Sequence, residues 1–117
     1  MIQHAFEPKA SELPAEVAVE LQKVLRVLSQ DNAQRILLYG SFARGDYADH
    51  SDFDLCVDGI SPRDFFLAYT ECLMATDHRL SLVDLQDARG YFRERILKEG
   101  KVVYEAPGIS ARASVRP

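Results

Sequence analysis

The chain has 117 residues, of which 47% are hydrophobic and 27% charged. These are ordinary proportions for a globular domain, and the length predicts one domain with a modest core. Its 14 basic and 18 acidic residues leave a net charge of −4. Coating of nucleic acid depends on Lys and Arg to neutralise phosphates. The balance therefore argues against bulk nucleic-acid binding and leaves open a small anionic substrate held through a metal ion.

Residues 1–12 are polar and carry no periodicity. The opening Met-Ile-Gln-His-Ala-Phe-Glu-Pro-Lys lacks a basic segment followed by a long apolar one, so no leader peptide is expected. Leu13, Val17, Leu21, Val24, Leu25 and Leu28 recur at helical spacing, and Pro14 suits a first helical position. They predict an amphipathic helix at about 14–30. Ile36-Leu37-Leu38-Tyr39 is short, apolar and ended by Gly40, which predicts a buried strand. A turn and short helix are expected over 41–45. Phe53, Leu55 and Val57 alternate with Asp52, Asp54 and Cys56, which predicts a strand with two distinct faces, closed by Asp58-Gly59.

Ser61, Pro62 and Asp64 together form a helix start, and that helix should run to about Ala75. A third strand is expected from Arg79 to Leu85. Asp87 can cap a helix carrying Phe92 and Ile96, which stops at Gly100. Lys101 to Glu105 reads as a last strand. Residues 106–117 mix Pro, Gly, Ser, Ala and Arg without periodicity and predict a disordered tail. The expected domain is 1–105, and alternating helices and strands predict an α/β or α+β fold with a small mixed sheet flanked by helices.

Cys56 and Cys72 are too few for a disulfide framework and lie in apolar surroundings. They predict reduced core residues and a cytoplasmic protein. No apolar run approaches the ~18 residues that suggest a membrane span.

The chemistry concentrates between Gly40 and Leu55. Five of the 18 acidic residues lie from Asp46 to Asp58. On a strand, Asp52 and Asp54 would share one face with Cα atoms ~7 Å apart. Paired carboxylates repel unless a cation lies between them, and such oxygen donors suit Mg²⁺ with substrate phosphates completing its shell. Gly40 permits close approach of a phosphate to the backbone ahead of the short helix. An anion site beside a metal site describes a nucleoside triphosphate with Mg²⁺.

Gly40-Ser41, ten residues, then Asp52-x-Asp54 resembles the polymerase-β-like nucleotidyltransferases. Ala43-Arg44-Gly45 and Ser51-Asp52-x-Asp54-Leu55 resemble in particular the minimal nucleotidyltransferases of prokaryotic MNT/HEPN toxin–antitoxin pairs. The resemblance covers roughly 34–105. That family has a third carboxylate in a hydrophobic-Asp-hydrophobic run on a later strand, a place that Val83-Asp84-Leu85 fits. The resemblance implies that Gly40 and Ser41 hold the triphosphate and that Arg44 steadies a phosphate. It implies that Asp52 and Asp54 bind two Mg²⁺ ions, and that Asp84 binds one and helps deprotonate the acceptor. Phe42 departs from the pattern, since a basic or polar residue is common there.

The activity so implied is transfer of AMP from ATP to a hydroxyl acceptor, a tyrosine of a cognate helical HEPN toxin, with the chain acting as antitoxin. Two alternatives stay open: a non-catalytic antitoxin that covers its toxin, and a small-molecule nucleotidyltransferase. Self-association is also open.

Other signals are weaker. An EF-hand started at Asp54 puts Cys56 at position 3 and Phe65 at position 12, where a carboxylate is required. Neither a Walker A loop nor a serine-hydrolase elbow occurs. Asp46, Asp49, Asp58 and His50 read as solvated loop residues, and Arg93-Glu94-Arg95 as a solvated helix face. Tyr47 reads as a loop anchor. His4 and His78 lack ligand spacing.

Overall fold

The computed structural model describes residues 13–48 and 50–108. The strands are β1 (Arg35–Tyr39), β2 (Phe53–Asp58), β3 (Leu80–Asp84) and β4 (Lys101–Glu105). The apolar run at β1 is explained by its place inside the sheet, whose strand order is β3-β2-β1-β4. β1 is antiparallel to both β2 and β4, whereas β2 and β3 are parallel. The sheet is therefore mixed and the fold α+β.

Side chains alternate across β1. Ile36 and Leu38 enter one core cluster, and Leu37 and Tyr39 the other. The first cluster is closed by α1 (Ala15–Gln30) and α3 (Pro62–Ala75). From α1 it takes Leu21, Val24, Leu25 and Leu28, and from α3 it takes Ala68 and Cys72. The second lies under α4 (Gly90–Glu99), which contributes Ile96 opposite Leu37, Tyr39 and Cys56. Burial of this two-sided apolar surface supplies the main drive to fold. Both cysteines are buried and free, and burial pushes each thiol up to about 12.

Helix boundaries follow the sequence signals with local differences. Pro14 is the N-cap of α1 rather than its first residue, its carbonyl accepting the Ala18 N–H at 2.9 Å. Ser61 is the N-cap of α3, but its hydroxyl donates to the Asp64 carboxylate at 3.0 Å rather than capping a backbone N–H. Asp87 does not cap α4. It belongs to a 3-10 turn, Leu85–Asp87, and Arg89 holds the N-cap position. The expectations for residues 1–12 and for the tail beyond 108 lie outside the described residues, among which no helix is long and apolar enough to cross a membrane.

This topology gathers four chain ends at one edge of the sheet. β1 ends there, and β2 begins there because it is antiparallel to β1. β3 begins there because it is parallel to β2. α4 finishes there, since β4 starts at Lys101 opposite Leu38.

Candidate active site

At that edge Tyr39 pairs with Asp54 across the two central strands. Gly40 follows with φ 79° and ψ −156°, a backbone conformation that side chains disfavour. A β-carbon at Gly40 would overlap Asp54 Oδ2 and lie 3.0 Å from Asp54 Cγ. Glycine thus lets a carboxylate rest against the backbone. The chain then turns through α2 (Ser41–Arg44), whose first bonds are Ala43 N–H and Arg44 N–H to the Gly40 carbonyl at 3.1 and 3.0 Å. Gly45 ends it in the left-handed conformation, φ 92°.

Phe42 explains its own departure from the resemblance. It is buried, with its ring centroid 4.7 Å from Tyr47 and 5.4 Å from Phe53. The position anchors the turn to the core rather than facing a ligand, and Tyr47 is the loop anchor expected. His78 stacks on Phe53 at 4.0 Å, so its role is also packing.

Asp52 and Asp54 are brought together, with one correction. Asp52 precedes β2 rather than lying within it. Its Oδ1 accepts Arg79 Nε–H at 2.9 Å. Burial raises the Asp54 carboxyl above the ordinary range, and the nearby charges of Asp52 and Glu99 push the same way against Arg44. The Tyr39 phenol is raised to about 12, first by burial and then by Asp54.

Asp84 does not join this pair. In the parallel register Asp54 stands beside Ser81, whereas Asp84 stands beside Val57. Three further residues place Asp84 about 10 Å along the strand. Alternation also turns it with Leu80 and Leu82, away from the face carrying Asp54 and Cys56. Its Oδ1 accepts the Gln86 N–H at 3.0 Å, and the side chain caps the 3-10 turn. A hydrophobic-Asp-hydrophobic run reveals a strand but not its register. Among the described residues no three His, Cys, Asp or Glu side chains are grouped as a metal site.

Gly40 and Arg44 are at the site but already engaged. Glu99, which no motif or spacing singles out, accepts Gly40 N–H at 2.8 Å, and its two oxygens lie 3.4 Å from Arg44 Nη1. Arg44 also pairs with exposed Asp46 at 3.2 Å. Ser41 opens the turn and is half-buried. Arg79 and Ser81 were likewise missed, because only strand pairing brings them beside Asp52 and Asp54. Of the remaining residues, His50 is exposed, Asp58 is half-buried, and Asp49 lies outside the described residues. Arg93 is not simply solvated: its Nη1 donates to the Leu85 carbonyl at 2.6 Å.

Comparison with known proteins gives a consistent picture. The family model described as polymerase beta, nucleotidyltransferase matches residues 22–107. The candidate protein adenylyltransferase MJ1547 of Methanocaldococcus jannaschii is 30% identical over 69 residues, covering 59% of this chain and 53% of that protein. The candidate protein adenylyltransferase MJ0141 of the same organism is 38% identical over 42 residues, covering 36% of this chain and 42% of that one. The chain thus matches about half the length of these curated relatives. Among solved structures, a chain of a toxin–antitoxin crystal structure with AMP-PNP superposes with a TM-score of 0.63 at 22% identity, covering 80% of each chain. A chain from the complex of tri-AMPylated Shewanella oneidensis HEPN toxin with MNT antitoxin gives 0.59 at 20% identity, covering 83% of this chain and 79% of that one. At these identities the structural likeness speaks for the fold.

Proposed function

We propose, because the chain belongs to the polymerase β nucleotidyltransferase family, that it transfers AMP from ATP to a hydroxyl group, and that the acceptor is a tyrosine of a partner HEPN toxin. The observation that carries the proposal is the packing of Gly40 against Asp54, which sets a residue of the turn that has no side chain directly beside a pair of carboxylates. The relatives support the acceptor class: two are named as candidate protein adenylyltransferases, and one fold neighbour comes from a complex with an AMPylated HEPN toxin.

The donor set fits a hard divalent cation. Asp52 and Asp54 offer oxygen ligands, and the Asp54 carboxyl, raised first by burial and then by the charge of Asp52, is one whose ionised form a cation would favour. Asp52 and Asp54 would hold the Mg²⁺ ions, with phosphate oxygens and water filling the remaining positions. When bound, Mg²⁺ neutralises phosphate charge and lowers the pKa of an acceptor hydroxyl.

The protein's own groups divide the remaining work. Gly40 keeps the approach to Asp54 clear of a side chain. Ser41 offers its hydroxyl and backbone N–H to a phosphate. Arg44 supplies positive charge at the edge of the turn. Arg79 balances Asp52 and is exposed, so it can swing away when a cation takes the carboxylate.

Ser81 beside Asp54, with Asp84 elsewhere, favours a second reading in which the chain silences its toxin by covering it and transfer is lost. Labelled ATP separates the two. With Mg²⁺ and a partner HEPN toxin, the parent should label the toxin and the Asp52→Asn, Asp54→Asn double variant should not. Silencing of the toxin by both proteins without label would establish the second reading.

A further inference from the structure

Glu99 ends α4, and its carboxylate reaches the start of the Gly40–Ser41 turn across 59 residues of sequence. Oε2 takes the Gly40 N–H at 2.8 Å and lies 3.4 Å from Arg44 Nη1, while Arg95 approaches the same oxygen at 3.7 Å. The side chain is 18% exposed. Its position is fixed from behind. Gly100 N–H returns to the Ile96 carbonyl at 2.8 Å, a β-carbon at Gly100 would overlap that carbonyl, and Lys101 enters β4 opposite Leu38. The end of α4 is therefore tied to the same strand that delivers Gly40.

We infer that Glu99 is a positioning residue for nucleotide binding: it pins the Gly40 amide and aims the Arg44 guanidinium, holding Ser41 in place without touching the ligand. The inference rests on the nucleotide site proposed above. Its direction is not obvious from charge alone. A carboxylate beside a triphosphate site is repulsive, and removing it releases Arg95 and the Nη1 arm of Arg44 to meet phosphate. Any benefit of Glu99 must be geometric, through a charge-assisted hydrogen bond to a backbone amide. Gly40 requires such a tether because its φ of 79° belongs to a conformation that an unrestrained glycine shares with many others.

The amide isostere separates geometry from charge. Glu99→Gln keeps an acceptor for Gly40 N–H and removes the charge, whereas Glu99→Ala removes both. Three measurements on the parent and both variants decide the matter: hydrogen exchange of the Gly40–Gly45 amides, affinity for Mn²⁺ alone, and affinity for AMP-PNP with Mg²⁺. Positioning predicts faster exchange confined to that turn in Glu99→Ala, about tenfold weaker AMP-PNP binding, and a Mn²⁺ affinity that is the same in Glu99→Ala and Glu99→Gln, since both lose the charge that acts on Asp54. It also predicts that Glu99→Gln recovers most of that loss. Equal or tighter AMP-PNP binding by Glu99→Ala and Glu99→Gln would overturn the inference and make Glu99 a plug. Unchanged Gly40 exchange in Glu99→Ala would also overturn it. If the parent binds no AMP-PNP, the proposed nucleotide site fails, and the exchange measurement still decides whether Glu99 holds the turn.

Discussion

The Gly40 backbone and the Asp54 carboxylate are packed so closely that any side chain at position 40 would occupy the space of Oδ2. The relationship joins the two halves of the motif, the turn and the carboxylate pair, through the antiparallel pairing of Tyr39 with Asp54. Gly40→Ala therefore meets two obstacles: a positive φ and the carboxylate. The backbone strain alone should cost about 1–3 kcal/mol. Thermal unfolding of Gly40→Ala should show at least that loss. Combining it with Asp54→Ala should recover part of the loss, because the overlap is removed and the strain remains. A Gly40→Ala protein as stable as the parent would refute this packing.

Asp54 also sets a pH dependence. Burial and the charge of Asp52 raise its carboxyl in the folded chain, whereas in the unfolded chain it titrates near its ordinary value of about 4. Its contribution to stability is complete below the unfolded value and is lost as pH rises through the folded one. The metal-free parent thus carries a penalty at neutral pH that an uncharged side chain lacks. Asp54→Asn should melt higher than the parent in chelator near neutral pH, and the difference should shrink under acid. A lower Tm for Asp54→Asn at neutral pH would contradict the account.

The places of Ser81 and Asp84 give a paired test. Ser81 is level with Asp54, so Ser81→Asp should complete a three-carboxylate set, tighten Mn²⁺ binding and lower metal-free stability. Asp84→Ala should leave Mn²⁺ affinity unchanged while loosening the Leu85–Asp87 turn, at a cost of about 1 kcal/mol for the lost cap. Loss of Mn²⁺ binding in Asp84→Ala would return Asp84 to the metal site.

Which features were legible in the sequence follows from how local their causes are. The stripe of Leu21, Val24, Leu25 and Leu28 announces α1 because helical spacing is a property of adjacent turns. The alternation of Phe53, Leu55 and Val57 announces β2 in the same way. Gly40-Ser41 and Asp52-x-Asp54 could be paired because one short connection returns the chain to the neighbouring strand. Asp84 misled because its strand pairs in parallel with β2 after a helix crossover, and nothing in Val83-Asp84-Leu85 states which residue faces Asp54. Glu99 was hidden for a similar reason. As the last charged residue before Gly100, it looks like an ordinary solvated helix end until β4 carries α4 back to the Gly40 turn.

The most direct measurement of the central claim is mass spectrometry of a partner HEPN toxin after incubation with this protein, Mg²⁺ and ATP. The proposed activity predicts that the toxin gains the mass of adenylate, located on tyrosine, with the parent and not with the Asp52→Asn, Asp54→Asn double variant. The variant should retain its fold, since β2 is held by Phe53, Leu55 and Val57 in the core. A toxin of unchanged mass that is silenced equally by parent and double variant would contradict transfer and leave a protein that works by binding alone.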